Sequence, residues 1–251
     1  MEIYQAFILI FVGAIAGFVN TIAGGGSLLT LPVMIFMGLP PAVANGSNRI
    51  ALVVQNIFAT AGFRSKGVTV WPYNLYLSIS ALIGAVIGAQ ISVDISGILF
   101  NRILSVVMLM VIAITIFNPL KNKKFVAERL DKKYQIWGVI LFFFVGIYGG
   151  FIQAGVGFII IAVLSLVNHM NLIRINSAKV YIILIYTVFA ITIFVINGKI
   201  NWLWGFTLAI GNSAGGWVGS RWQVEKGEKW VKRILLVMVI AMSLKLWFFN
   251  R

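Results

Sequence analysis

Apolar runs approaching the length of a membrane-crossing helix recur along this chain, and they constrain it more than any other feature. Ten can be marked, at 3–20, 27–37, 42–63, 71–92, 99–117, 134–153, 156–167, 175–196, 202–220 and 231–249. A helix needs about 20 apolar residues to cross the hydrocarbon of a bilayer. Most runs approach that length; the second and seventh do not. Strands of a membrane barrel would alternate apolar and polar residues, whereas these runs are apolar throughout. The pattern predicts an all-α polytopic membrane protein with the lipid bilayer as its surroundings. Only 10% of the residues are charged, against about 25% in a soluble domain. Trp71, Trp137, Trp202 and Trp230 fall at or near run ends, where interfacial aromatics belong.

Several function classes drop out early. The net charge is +14, but in a membrane protein Lys and Arg gather in cytoplasmic loops. No soluble domain is left to present a groove, so nucleic acid is not an expected partner. There is no Cys, which removes disulfides, thiolate catalysis and Cys metal sites. The opening MEIYQAFILIFVGAIAGF has no basic n-region and reads as a first membrane segment rather than a cleaved leader.

The two halves repeat. A shift of 131 residues aligns Gly24 with Gly155, Gly26 with Gly157, Asn45 with Asn176, Gly67 with Gly198 and Trp71 with Trp202. It also aligns Gly84 with Gly215, Gly88 with Gly219 and Arg102-Ile103-Leu104 with Arg233-Ile234-Leu235. Upstream of the glycines a shift of 133 pairs Gly13 with Gly146, Gly17 with Gly150 and Phe18 with Phe151. The expected organisation is a first transmembrane repeat at 1–118, a basic linker at 119–133 and a second repeat at 134–251.

The linker KNKKFVAERLDKK is the most basic loop, which places it in the cytoplasm. If all ten runs cross, each half has an odd number and the halves are inverted. Fifteen of the Lys and Arg side chains then fall inside and five outside. If the short runs dip in and return, the split is eleven to nine. The charge bias favours two inverted repeats of about five segments. A helix of about 11 residues is only about 17 Å long, so a crossing there needs extended backbone from the glycine stretch.

Matching short, Gly-interrupted segments in inverted halves are the mark of a secondary transporter with its site near the bilayer midplane. In VNTIAGGGSLLTLP, from Val19 to Pro32, a break at Gly24, Gly25 and Gly26 would free backbone N–H groups at the start of the Ser27 helix. A helix N-terminus carries about half a positive charge and binds anions without a basic side chain. The competing use of Gly24 to Gly26, Gly155 and Gly157 is close helix packing. For Gly84, Gly88, Gly215 and Gly219, spaced four apart, packing is the expected use.

Polar side chains also line up. Asn45, Asn48, Arg49, Leu52, Gln55 and Asn56 share one helical side, and the repeat offers Asn176, Lys179, Val180, Ile183, Tyr186 and Thr187 at the same offsets. Polar groups in hydrocarbon are costly, so both stripes should face a cavity or the other half. Arg49 and Lys179 have two readings, snorkelling to the interface and contact with an anion. Asn20 and Gln153, just before the breaks, have two as well: substrate contact and satisfaction of freed backbone groups.

The acids are Glu2, Asp94, Glu128, Asp131, Glu225 and Glu228, all at run ends or in loops. A cation transporter or carboxylate-coupled proton antiporter is therefore disfavoured. The lone His169 reads as a loop or interfacial histidine. With no acid–histidine cluster and no Cys, an enzyme has little to work with, and no cofactor or metal is implied.

The segment GFVNTIAGGGSLLTLPVMIFMGLPPAVANGSNRIA, residues 17–51, resembles the first-repeat signature of the sulfite exporter TauE/SafE family. GGFIQAGVGFIIIAVLSL, residues 149–166, followed by RINSAKVYIILIYT and NGKINW, resembles a second repeat of one branch. The resemblance spans nearly the whole chain. It implies an inner-membrane permease of two repeated halves that moves sulfite, sulfonates such as sulfoacetate, or related anions, usually outward. The second repeat has Gly155-Val156-Gly157-Phe158 in place of a triplet, so the two breaks are not expected to share the task equally.

The resulting expectation is a transporter of small anions. Its candidate substrate contacts are Asn20, Gly24, Gly25, Gly26, Ser27, Asn45, Asn48, Arg49, Gln55, Gln153, Gly155, Gly157, Asn176 and Lys179. An interior-negative potential would drive anion efflux by about 2.3 kcal/mol per charge per 100 mV, without a coupling ion. A passive anion channel, or a membrane assembly protein whose breaks only aid packing, are the competing readings.

Overall fold

The computed structural model describes residues 1–117 and 127–226. The tenth apolar run, at 231–249, and most of the basic linker lie outside the described residues. The described residues form helices and no strand. They are α1 (Ile3–Ala23), α2 (Ser27–Phe36), α3 (Pro41–Ser65), α4 (Tyr73–Asp94), α5 (Gly97–Phe117), α6 (Lys132–Phe151), α7 (Val156–Leu166), α8 (Leu172–Ile196) and α9 (Trp202–Lys226).

Local chemistry sets these bounds. Glu2 and Gln5 form a capping box at the start of α1, reciprocally satisfying first-turn donors. Gly24 ends the helix with φ 86°, a left-handed cap that costs glycine little. Pro41 opens α3, where a missing N–H is harmless. Asn171 caps α8 by accepting from the Arg174 N–H at 3.0 Å.

Among the described residues, α1, α4, α6 and α8 are long and apolar enough to cross a membrane. α3 and α9 are each 25 residues long but more polar, because they pack mainly against other helices. Outward-facing Phe7, Phe11, Ile83, Ile87, Ile140 and Phe144 are exposed, which suits a surface solvated by lipid rather than water.

Glycine seams fix the helix directions. Ala14 and Phe18 of α1 pack on Gly215 of α9, and Phe18 also packs on Gly219. Along α4, Gly84 meets Phe143 and Gly88 meets Ile147 of α6. Both pairs are therefore parallel, with the close backbone approach that small residues allow in membranes. Gly205 of α9 packs on Ser47 and Ile50 of α3, and Gly62 of α3 packs on Ser220 of α9, so α3 also runs with α9. Since α1 and α3 share a direction, the chain must return between them through the glycine break and α2.

The repeat equivalents α3 and α8 run antiparallel at the centre. Gly46, early in α3, packs on Phe194 at the end of α8. Ala59 and Phe63, late in α3, cluster with Val180, early in α8. This crossing brings each polar stripe up to the broken helix of the opposite half.

Candidate functional site

The two glycine breaks meet. A Cβ on Gly24 would collide with the Gly157 backbone, and a Cβ on Gly157 with that of Gly24. Gly24 and Gly157 are thus packing glycines as well as parts of the breaks. Gly26 sits against the Ala16 carbonyl and the Asn20 side chain, and Gly155 against Val111 of α5. The seams at Gly84, Gly88, Gly215 and Gly219 serve packing, as their spacing predicts.

Both stripes are fully internal. Asn45, Asn48, Arg49, Gln55, Asn176 and Lys179 are 0% exposed, which rules out snorkelling for Arg49 and Lys179. Their partners explain the burial. Arg49 donates through Nη1 to the Gly149 carbonyl at 3.2 Å and Gln153 Oε1 at 2.9 Å, and through Nη2 to the Gly150 carbonyl at 2.5 Å. Its guanidinium also lies over the Phe194 ring, 4.6 Å from the centroid. Asn45 Nδ2 donates to the Phe151 carbonyl and to Ser92 Oγ, each at 2.8 Å. The last turn of a helix leaves carbonyls unbonded and carries partial negative charge. Asn45 and Arg49 of the first half thus cap the broken end of α6 in the second.

The second half returns the contact. Lys179 Nζ donates to the carbonyls of Asn20 and Thr21, each at 2.9 Å, and to Asn176 Oδ1 at 2.6 Å. Asn176 Nδ2 donates to the Ile22 carbonyl at 2.7 Å and to Gln223 Oε1 at 3.0 Å. One Asn and one cation from each central helix hold the carbonyls at the opposite break. The cations themselves are not repeat equivalents, since Lys179 aligns with Asn48 and Arg49 with Val180.

Asn48 serves its own half instead. Its Nδ2 donates to Ser27 Oγ at 3.2 Å, and its Oδ1 accepts from Thr30 at 2.7 Å, pinning the start of α2. Asn20 Nδ2 donates to Gln55 Oε1 at 3.3 Å, and Gln55 also accepts from Asn212 at 3.2 Å. Gln153, with φ 61°, donates to Thr187 at 3.3 Å. The side chains of Asn20 and Gln153 therefore bond to other side chains, not to freed backbone groups.

The first break leaves donors unused. The N–H groups of Leu28, Leu29 and Thr30 return to Gly25 and Gly26. Among the described residues no acceptor meets those of Gly25, Gly26 and Ser27, all buried. At the second break the Val156 N–H is taken by the Gln153 carbonyl at 3.2 Å, while among the described residues no acceptor meets the buried Gly155 and Gly157 N–H groups. The first break thus leaves three consecutive donors unused and the second leaves two that are not consecutive. Buried N–H groups are seldom left unbonded, and three in succession at a helix start have the chemistry to accept an anion.

Sequence reasoning missed Ser92, Asn212, Gln223 and Thr30. Ser92 and Gln223 were within reach, because the 131-residue shift pairs them as it pairs Asn45 with Asn176. Asn212 had no such signal; its repeat equivalent is Ala81.

Helices of this length and apolarity, broken at matched places around buried polar groups, define a multi-pass membrane protein. The chain belongs to the sulfite exporter TauE/SafE family, which it matches over residues 9–246. It is 26% identical over 239 residues to a probable membrane transporter protein of Haemophilus influenzae, covering 95% of this chain and 93% of the relative. It is 29% identical over 242 residues to the probable membrane transporter protein YfcA of Escherichia coli K12, covering 95% and 88%. A probable membrane transporter protein of a Sinorhizobium species, ORF9, is 27% identical over 248 residues, covering 94% and 90%. No solved structure matches the chain.

Proposed function

We propose that the protein is a secondary transporter that exports small oxyanions, sulfite or sulfonates, across the cell inner membrane. The observation that carries this reading is the row of buried, unaccepted N–H groups at Gly25, Gly26 and Ser27. Those groups stand at the start of α2, where the positive end of the helix dipole adds to their attraction for negative charge. Gln55 adds a buried side-chain donor, Nε2, that also has no acceptor. Arg49 and Lys179 contribute buried positive charge while their hydrogen bonds hold the break carbonyls. Alternating access would rock one half against the other about the Gly24–Gly157 contact. The antiparallel course of α3 and α8 supports two inverted halves, and the basic charge of the linker supports a cytoplasmic side for it.

Purified protein in liposomes tests this. Loaded sulfite or sulfoacetate should leave faster than from empty liposomes, and external anion should accelerate that efflux. Lack of flux for every sulfur oxyanion would sink the proposal. Flux with single-channel conductance and no acceleration would make it a channel.

A further inference from the structure

Arg49 is 0% exposed, and among the described residues no carboxylate bonds to it. The ion pairs among the described residues, Lys66–Glu225 and Arg174–Glu128, involve other cations. Its two terminal nitrogens are taken by acceptors at the end of α6, but among the described residues its Nε has no acceptor. Tyr186 is also 0% exposed, and among the described residues its hydroxyl has no partner either. The two groups share a neighbour. Arg49 bonds the Gly149 carbonyl, and Tyr186 Oη lies 2.7 Å from where a Cβ on Gly149 would stand. The nearby Tyr148 hydroxyl is already committed to the Ala154 carbonyl at 2.5 Å.

An unsatisfied buried donor costs about 1–3 kcal/mol, and the carbonyls that hold Arg49 do not neutralise its charge as an anion would. Both side chains lie against Gly149, and an anion accepting from both would remove both costs. The repeat adds an independent argument. Tyr186 is the equivalent of Gln55, whose Nε2 is likewise buried without an acceptor. Each central helix thus carries one spare donor at the same register, beside the broken end of its own half.

We propose that Arg49 Nε and Tyr186 Oη form a second anion subsite, at the broken end of α6, that takes one singly charged acidic group. The proposal rests on the reading of the protein as an anion transporter. The first break binds one oxyanion with bare backbone; the second binds with a guanidinium lent by the first half and a phenol of its own. The group held there is either a free small anion such as chloride or the second acidic group of a two-headed sulfonate.

Isothermal titration of the purified full chain in chloride-free buffer distinguishes these. The probes are chloride, methanesulfonate with one acidic group, and sulfoacetate with two. The variants are Tyr186→Phe, which removes only the hydroxyl, and Arg49→Lys, which keeps the charge and removes Nε. If the substrate fills the subsite, both variants weaken sulfoacetate about tenfold, the worth of one hydrogen bond to a charged group, and leave methanesulfonate unchanged. If a free anion fills it, the same loss appears for chloride. Losses below about threefold for both, less than such a bond is worth, overturn the subsite while the transport reading stands. Wild-type protein that binds no probe overturns both. Tyr186→Phe should melt no lower than wild type without anion; a lower melting temperature would mean the hydroxyl is structurally engaged and would also overturn the subsite.

Discussion

Gly24 and Gly157 touch backbone to backbone, so the two broken helices of the protein meet with no side chain between them. Gly24 also has φ 86°, a conformation that costs an L residue about 1–2 kcal/mol.

Gly24→Ala and Gly157→Ala should therefore both fail, for different reasons. Gly24→Ala adds backbone strain to the collision; Gly157→Ala brings the collision alone. Each should lower the melting temperature of the detergent-purified protein sharply or abolish its yield. Gly97→Ala is the control. A Cβ there makes ordinary contact with Pro41 at 3.5 Å, and stability should be unchanged.

Asn45→Ala and Asn176→Ala should have comparable effects. Each removes two donated hydrogen bonds, one of them to a break carbonyl, Asn176→Ala also removes the bond accepted from Lys179, and each should destabilise by about 1–3 kcal/mol. Asn176→Ala with Lys179→Met should cost less than the sum, because Lys179 bonds Asn176 Oδ1 and contacting residues are not additive. Denaturant melts of the two singles and the double mutant measure the coupling.

Gln55→Glu keeps the oxygen that accepts from Asn20 and Asn212 but sets a carboxylate near the first break. At neutral pH it should repel the anion and cut liposome flux at least about tenfold, as an uncompensated like charge at close range does. The sign with pH is fixed. As pH falls the carboxyl takes up a proton, becomes neutral, and flux should recover. Flux that stays low at acid pH would mean that the loss is structural.

Glu128→Gln breaks the bridge from the linker to Arg174, whose two side chains are 22% and 36% exposed. A bridge of this exposure is worth about 0–1 kcal/mol, so stability should change little. The backbone bond from the Arg129 N–H to the Asn168 carbonyl at 2.8 Å would still hold the segment. A large loss on thermal melting would assign the bridge a larger role than its exposure allows.

Much of the site was legible before the fold was known. The helical spacing of Asn45, Arg49, Gln55, Asn176 and Lys179 announced internal faces, and all are buried. Their partners were not legible. Arg49 reaches carbonyls 100 and 101 residues away, and Lys179 reaches one 159 residues away. A stripe says which side of a helix avoids lipid; it does not say which helix end lies opposite.

The sequence by itself determined the apolar character of the described helices and the places where they break. Hydrophobic length, backbone freedom at glycine and periodicity are local properties, written in neighbouring residues. Only the tertiary structure decided that Arg49 and Lys179 hold helix ends rather than reach the interface. That choice depends on where the antiparallel crossing of α3 and α8 brings each cation. At the crossing each meets carbonyls at the end of the other half's broken helix, where the partial negative charge suits a buried cation.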